Sequence, residues 1–301
     1  MTLDICPTTD LHVAECDCKR HRPSASHEPG WYDDLPDAEY HADTTSLSAS
    51  GAKLLATRTP FEFRWAQTHP VRKTEFDLGH AAHKLILGEG AEFEIIDYPN
   101  YNTKASKEAR DKAYQAGLVP LLAAQHEQAQ AMAARVLAHP LGAALFAEGV
   151  AERSGWWADE ATGIRCRVRP DWMTWIDDVL YVVDVKTTTD PDPDAFARSA
   201  IGFGYHIQQA WYLEAVRILT GAERISFLLL AVGTKPPHLI TSHFCDDEAL
   251  AEGERAIQRA RRIFARCMES GHWPEYSIEP HPIPLPRWHA LTPEEFTDDL
   301  D

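Results

Sequence analysis

The 301 residues carry 44% hydrophobic and 25% charged side chains, enough apolar mass to bury a sizeable core. No run of about eighteen apolar residues exists and the opening segment lacks a basic-then-apolar leader pattern, so we expect no membrane partner, a cytoplasmic location and reduced thiols at the six cysteines. The formal charge of −17 argues against a polyanionic partner only until its distribution is read, because residues 1–44 hold −7 and residues 275–301 hold −6, leaving −4 on the body.

In chain order, residues 1–44 mix Pro, Ser, His, Asp and Cys without apolar periodicity and read as a poorly ordered acidic arm. His12, Cys16, Cys18 and His21 could suggest zinc, but Cys-x-Cys is not the spacing of structural zinc sites, and they read as part of the arm. A single domain follows over 45–275, with a helical part at 45–140 and a mixed core at 150–270; an acidic, Pro-rich tail spans 276–301. Ser48 or Ser50 caps a helix through Lys53, Leu54 and Leu55 that Pro60 stops. A helix is predicted from Glu75 to Leu87, ended by Gly88 and Gly90. Lys104 to Asp111 favours helix, Gly117 and Pro120 break it, and an Ala-rich helix runs to Ala138 with Leu122, Ala129, Met132 and Val136 on its core face. Strands are predicted near 152–158, 163–175 and 179–187, then a helix from Tyr205 to Leu219, strands from Ile225 to Val232 and near His238 to Phe244, and a helix from Asp246 to Ser270. The pattern is α/β, one sheet covered by helices.

If Asp177-Asp178 forms a two-residue hairpin turn, opposed residues have numbers summing to 355, and Asp171 faces Asp184. Lys186 shares the face of Asp184. Two carboxylates about 5 Å apart repel by roughly 3 kcal/mol at an effective dielectric of 20. Lys186 offsets part of this, and a divalent cation bound by both acids fits the hard-oxygen preference of Mg²⁺ or Mn²⁺. Arg165, Arg167 and Arg169 share the parity of Asp171 and offer positive charge for phosphates. Apolar residues fall on both parities, with Met173, Trp175, Leu180 and Val182 on one face and Val168, Trp172, Val183 and Val185 on the other, as in a central strand pair.

His83 shares a helix face with Phe76, Gly79 and Ile86, which on its own fits either a hydrogen-bonded core histidine or a ligand. Gln208 and Tyr212 are four apart on one helix face. Glu152 stands at a strand boundary, and Lys104, Lys107, Arg110 and Lys112 form a basic run that reads as a solvated face or as backbone contacts.

Arg169-Pro170-Asp171, twelve residues, then Asp184-Val185-Lys186 resembles the PD-(D/E)xK nuclease motif. With the Ser-rich helix at Ser46–Leu55, Gly79-His80-Ala81-Ala82-His83, Glu152, Thr162-Gly163 and Tyr205-His206-Ile207-Gln208 in order, the chain more closely resembles the RecE-type branch of phage and prophage exonucleases over residues 46–275. The resemblance implies a restriction-endonuclease-like core, a central mixed sheet flanked by helices, with an added N-terminal helical region. It implies Asp171 and Asp184 as metal-binding acids, the Val185 carbonyl and His83 as further ligands, Lys186 as the lysine at the attacking water or the phosphate, Glu152 near the metal, and Gln208 with Tyr212 as the Gln-x-x-x-Tyr pair. Implied too are Mg²⁺ with Mn²⁺ as substitute, hydrolysis from linear duplex DNA ends, 5′ to 3′ in polarity, a RecT-type single-strand annealing partner in phage-type recombination, and a homo-oligomer. A lone Cys267 near the C-terminus departs from the cysteine trio of iron–sulfur relatives, so no such cluster is expected. A structure-selective or site-specific endonuclease of the same superfamily, or a DNA-binding module with a decayed site, are the alternatives.

Overall fold

The computed structural model describes residues 27–69 and 76–284. The His12, Cys16, Cys18 and His21 cluster lies outside the described residues. Part of the segment read above as an arm is ordered: β1 (Gly30–Tyr32) pairs antiparallel with β5 (Ser154–Ala158), and α1 (Asp37–Ala42) follows it. The reason is a buried polar knot that local sequence does not announce. Asp43 accepts from the Thr45 and Ser46 hydroxyls and from Trp156 Nε1, and Arg167 donates to the Asp43 and Ser46 carbonyls.

Ser48 caps α2 (Ala49–Thr57), its hydroxyl accepting from Gly51 N–H. α2 ends before Pro60 as expected, and Pro60 is also the first residue of a separate helix α3 (Pro60–Thr68); that position needs no backbone donor, and Thr59 with Glu62 completes a capping box. α4 (Asp77–Leu87) ends at Gly88, which takes a φ of 79° that only glycine adopts freely. β2 (Phe93–Ile96) and β3 (Val119–Leu122) were not foreseen; they pair in parallel around α5 (Lys104–Gln115), and α6 (Ala123–Ala138) follows with Ala129, Met132 and Val136 fully buried as expected.

After α7 (Pro140–Leu145) the chain enters β4 (Val150–Ala151) and β5. The strand expected over 163–175 is two strands in different sheets, β6 (Arg165–Val168) and β7 (Trp172–Ile176), separated at Arg169-Pro170-Asp171. Proline removes a ladder donor, and the break corrects the single-parity reading: Val168 packs with Met173 and Val182 instead of opposite them, and Trp175 is exposed. β8 (Val179–Thr188) then pairs with β7 in the predicted register, Trp172 with Val183 and Ile176 with Val179, Asp177 opening the turn at a φ of 52°. α8 (Pro193–Gly202), which sequence missed, and α9 (Tyr205–Thr220) cross over to β9 (Ile225–Gly233), parallel to β8; β10 (Ile240–His243) and α10 (Asp247–Ser270) complete the body.

The central mixed sheet has the order β10-β9-β8-β7-β4, beside a three-stranded sheet β1-β5-β6 and the pair β2-β3. Alternation along β8 and β9 feeds two cores. Val182, Phe227 and Leu229 join α2, α9 and α10 on one side, while Val183, Val185, Leu230 and Val232 join α4 and α6 on the other. Fully burying side chains such as Phe264 and Ile257 stabilises each contact surface by roughly 2 kcal/mol per residue. α9 and α10 approach closely at Gly253, where a methyl group would lie 2.3 Å from the His206 carbonyl oxygen. Residues 276–284 of the tail carry no helix or strand, and among the described residues no helix is long and apolar enough to cross a membrane.

Candidate metal and phosphate site

Because β7 begins at Trp172, Asp171 stands one residue beyond the ladder, at the sheet end where Pro170 has turned the chain. Its carboxylate folds back along β8, and Oδ2 accepts the Val185 N–H at 2.9 Å. Asp184, in the middle of β8, points to the α9 side and is buried. There Gln208 Nε2 donates to Asp184 Oδ1, and the Lys186 ammonium pairs with Oδ2. The two acids thus meet the sheet end from neighbouring strands, as the hairpin arithmetic anticipates.

α4 approaches from the opposite face. His83 Nε2 lies 3.0 Å from Asp171 Oδ2 and 2.9 Å from the Val185 carbonyl oxygen. Both partners are acceptors, so Nε2 carries the proton. Burial alone would lower the imidazole's affinity for that proton, but Asp171 outweighs it and holds His83 up at about 9. Burial likewise pushes Asp171 up, yet His83 and then Lys186 hold it below the usual carboxylate range. Asp184 goes the other way, raised by burial and by the charge of Asp171. Lys186, despite its burial, is held above the ordinary lysine value by Asp184 and Asp171.

Glu152 takes a φ of 46° between β4 and β5, its N–H donating to the Asp171 carbonyl at 3.1 Å. Its carboxyl is raised by burial and by Asp171, and lies 3.8 Å from Arg169 Nη1. Tyr212 is buried and its hydroxyl donates to the Arg169 carbonyl at 3.1 Å, fixing the turn that presents Asp171. Glu152, Gln208, Tyr212, His83, Val185, Asp171, Asp184 and Lys186 are therefore one constellation.

The three arginines of the same parity are held by the protein's own groups. Arg167 is buried and spends its guanidinium on Asp43 and Ser46; Arg165 donates to the His27 carbonyl; Arg169 is divided among Ser154, Leu35, Asp37 and Glu152. Lys104, Lys107 and Arg110 lie on α5, which packs on β2 and β3; Lys104 pairs with Glu108 and Arg110 with Asp111. Sequence reasoning passed over Lys53, which α2 carries to the site. Its ammonium and that of Lys186 lie 5.8 and 4.9 Å from the centroid of the Tyr205 ring, and burial together with Lys186 pulls Lys53 down to about 8. A lysine among the apolar positions of a core helix was the available signal.

Among the described residues no three His, Cys, Asp or Glu side chains form a ready-made metal cage. The donors nonetheless fit a hard divalent cation: two carboxylates, a main-chain oxygen and an imidazole, with Asp171 Oδ2 and the Val185 oxygen already converging on His83 Nε2. The buried, mutually repelling acids are the charge such an ion compensates.

The model of the PDDEXK-like domain of unknown function (DUF3799) matches residues 46–280. A solved structure with a similar fold is that of a "Putative exonuclease" from Eubacterium rectale, with a TM-score of 0.58 and 19% identity over 84% of this chain and 97% of that one. A second, SSO0001, has a TM-score of 0.27 and 16% identity over 63% of this chain and 86% of that one, a likeness too slight to argue from. No curated protein matches. With its family model spanning the two cores, the split strand and every residue of the acid, lysine and histidine constellation, the chain belongs to the PDDEXK-like DUF3799 family.

Proposed function

We infer that this protein is a metal-dependent deoxyribonuclease that hydrolyses phosphodiester bonds from linear duplex ends. The observation that carries the reading is the meeting of Asp171, Asp184, Lys186, His83 and the Val185 carbonyl at one end of the central sheet. Asp171, Asp184, His83 and the Val185 oxygen would hold Mg²⁺, with Mn²⁺ as substitute. The ion supplies Lewis acidity to the phosphate and a more acidic bound water. Lys186, anchored on Asp184, is the positive clamp on the scissile phosphate. Gln208 holds the Asp184 carboxylate in orientation, and Tyr212 holds the Arg169-Pro170-Asp171 turn. Glu152, tied to Arg169, adds acceptor capacity beside Asp171.

Action at ends, 5′ to 3′ polarity, a homo-oligomeric state and delivery of single strands to a RecT-type annealing protein in phage-type recombination complete the proposal and rest on the motif resemblance. Digestion of end-labelled linear duplex and covalently closed plasmid, with Mg²⁺ and with EDTA, tests it. The expected result is single-strand product from the linear DNA only, from one labelled end, and nothing in EDTA. Efficient linearisation of the closed circle would establish an endonuclease instead, and no hydrolysis of either would establish a binding module.

A further inference from the structure

From Arg255 to Met268 the sequence of α10 contains five arginines and no acidic residue, in a chain whose net charge is −17. Arg261 is buried between Asp159 and Glu214 and belongs to the core. The other four, Arg255, Arg259, Arg262 and Arg266, follow helical spacing, so they form one ridge, and all four are exposed. Arg255 pairs with Glu252, whereas Arg259, Arg262 and Arg266 have no carboxylate at ion-pair distance among the described residues. Such a one-signed ridge makes a local positive potential that attracts anions.

The ridge is continuous with the site. A cleft of about 390 Å³ between α2, the end of α8 and α10 is lined by Ser50, Lys53, Phe203, Gly204 and Arg259, among others. At its inner end Lys53 shares the Tyr205 ring with Lys186. At its mouth Phe203 is 66% exposed and stacks on Tyr205, with ring centroids 5.8 Å apart. At its outer end Arg259 reaches the Ala56 carbonyl at 3.4 Å. The eleven helical steps from Arg255 to Arg266 span about 16 Å, so successive arginines of the ridge are spaced along the helix by roughly 5 Å.

We propose that this cleft and the arginine ridge of α10 form a track for one single strand of nucleic acid, its phosphates on Arg255, Arg259, Arg262 and Arg266 and a base stacked on Phe203. The track extends the nuclease reading, on which it rests for its direction: it leads a strand to or from Lys186. Basic side chains with an exposed aromatic platform are the composition that single strands require.

The test is fluorescence anisotropy of a labelled oligothymidylate with the full chain in EDTA, titrated with salt. The variant Arg255→Gln/Arg262→Gln/Arg266→Gln should bind about tenfold or more weakly, and the slope of log affinity against log salt should shrink by about 2, some 0.7 for each phosphate no longer neutralised. Lys104→Gln/Lys107→Gln, on α5, should change both much less. Phe203→Ala should weaken binding about fivefold or more without altering the slope. Unchanged affinity and slope in the arginine variant overturn the track. So does an equal loss in the α5 variant, which marks a general charge effect, or dissociation of an oligomer by the arginine variant with binding intact, which marks a subunit contact. Because binding is read without metal, hydrolysis is scored separately: wild-type hydrolysis with unaltered binding by the arginine variant refutes the track alone, and the expected binding pattern without any hydrolysis refutes the nuclease reading alone.

Discussion

His83 Nε2 and Asp171 Oδ2 stand 3.0 Å apart across the sheet, a histidine from one core layer donating to an acid at the end of a strand that starts only after a proline. This pair ties the metal-free fold to the candidate metal site. The sequence left His83 open between packing and ligation; the geometry gives it hydrogen bonds without metal and a place beside two further donors.

His83→Ala should therefore have two separable effects. Without metal it should cost about 1–3 kcal/mol, because the Asp171 carboxylate loses a charged donor in a half-buried place. It should also weaken Mn²⁺ binding by about tenfold or more in the folded fraction. Melts in EDTA and calorimetric titration read the two; unaltered Mn²⁺ affinity leaves His83 as a purely structural residue.

The pair also has a pH signature in the metal-free protein. His83 is raised from 6.5 to about 9 in the fold, so the stability it contributes is complete below about 6.5 and is lost as pH rises through 9. Asp171 is lowered, so its contribution is complete above its ordinary value of 3.8 and is lost as pH falls through its folded value. In EDTA the advantage of wild type over His83→Ala should be greatest near pH 5–6 and small above about pH 10. An advantage that grows from pH 7 to 10 would contradict the pairing.

Lys186→Met and Asp184→Asn should each reduce Mg²⁺-dependent hydrolysis by a factor of 100 or more, on the order of removing one transition-state donor. They should differ in metal binding, since of the two only Asp184 is proposed as a ligand. Asp184→Asn should weaken Mn²⁺ strongly and Lys186→Met little. Hydrolysis near wild type in either variant sinks the assignment.

Gln208→Ala removes the amide donor of Asp184 Oδ1 and should slow turnover by about tenfold while costing about 1–2 kcal/mol of stability. Gln208→Glu should be worse in both, since it sets another acid beside Asp184. Turnover at the wild-type level in Gln208→Glu argues against an orienting role.

Arg167→Ala separates folding from substrate contact. The guanidinium is enclosed by Asp43 and Ser46, so its loss should destabilise the protein by about 3 kcal/mol or more and leave the salt dependence of DNA binding in the folded fraction unaltered. A reduced salt slope at unchanged stability would return Arg167 to the DNA.

What the sequence determined by itself was local in physical origin. The turn at Asp177-Asp178 fixes a register that pairs Trp172 with Val183, and that register alone sets Asp184 and Lys186 on one side of β8, opposite the start of β7. Helix ends followed from caps and Gly88, and the helix faces from spacing. Only tertiary structure decided that residues 27–44 join the body, because Asp43 and Arg167 are 124 positions apart and their polar knot exists only once β6 and the N-terminal segment are together. The division of 163–175 into strands of two sheets has the same cause: Pro170 permits a break, but only packing of Val168 with one core and Trp172 with the other requires it. Lys53 reaches Lys186, and His83 reaches Asp171, through the docking of whole helices on opposite faces of the sheet, a relation that periodicity along one helix cannot contain.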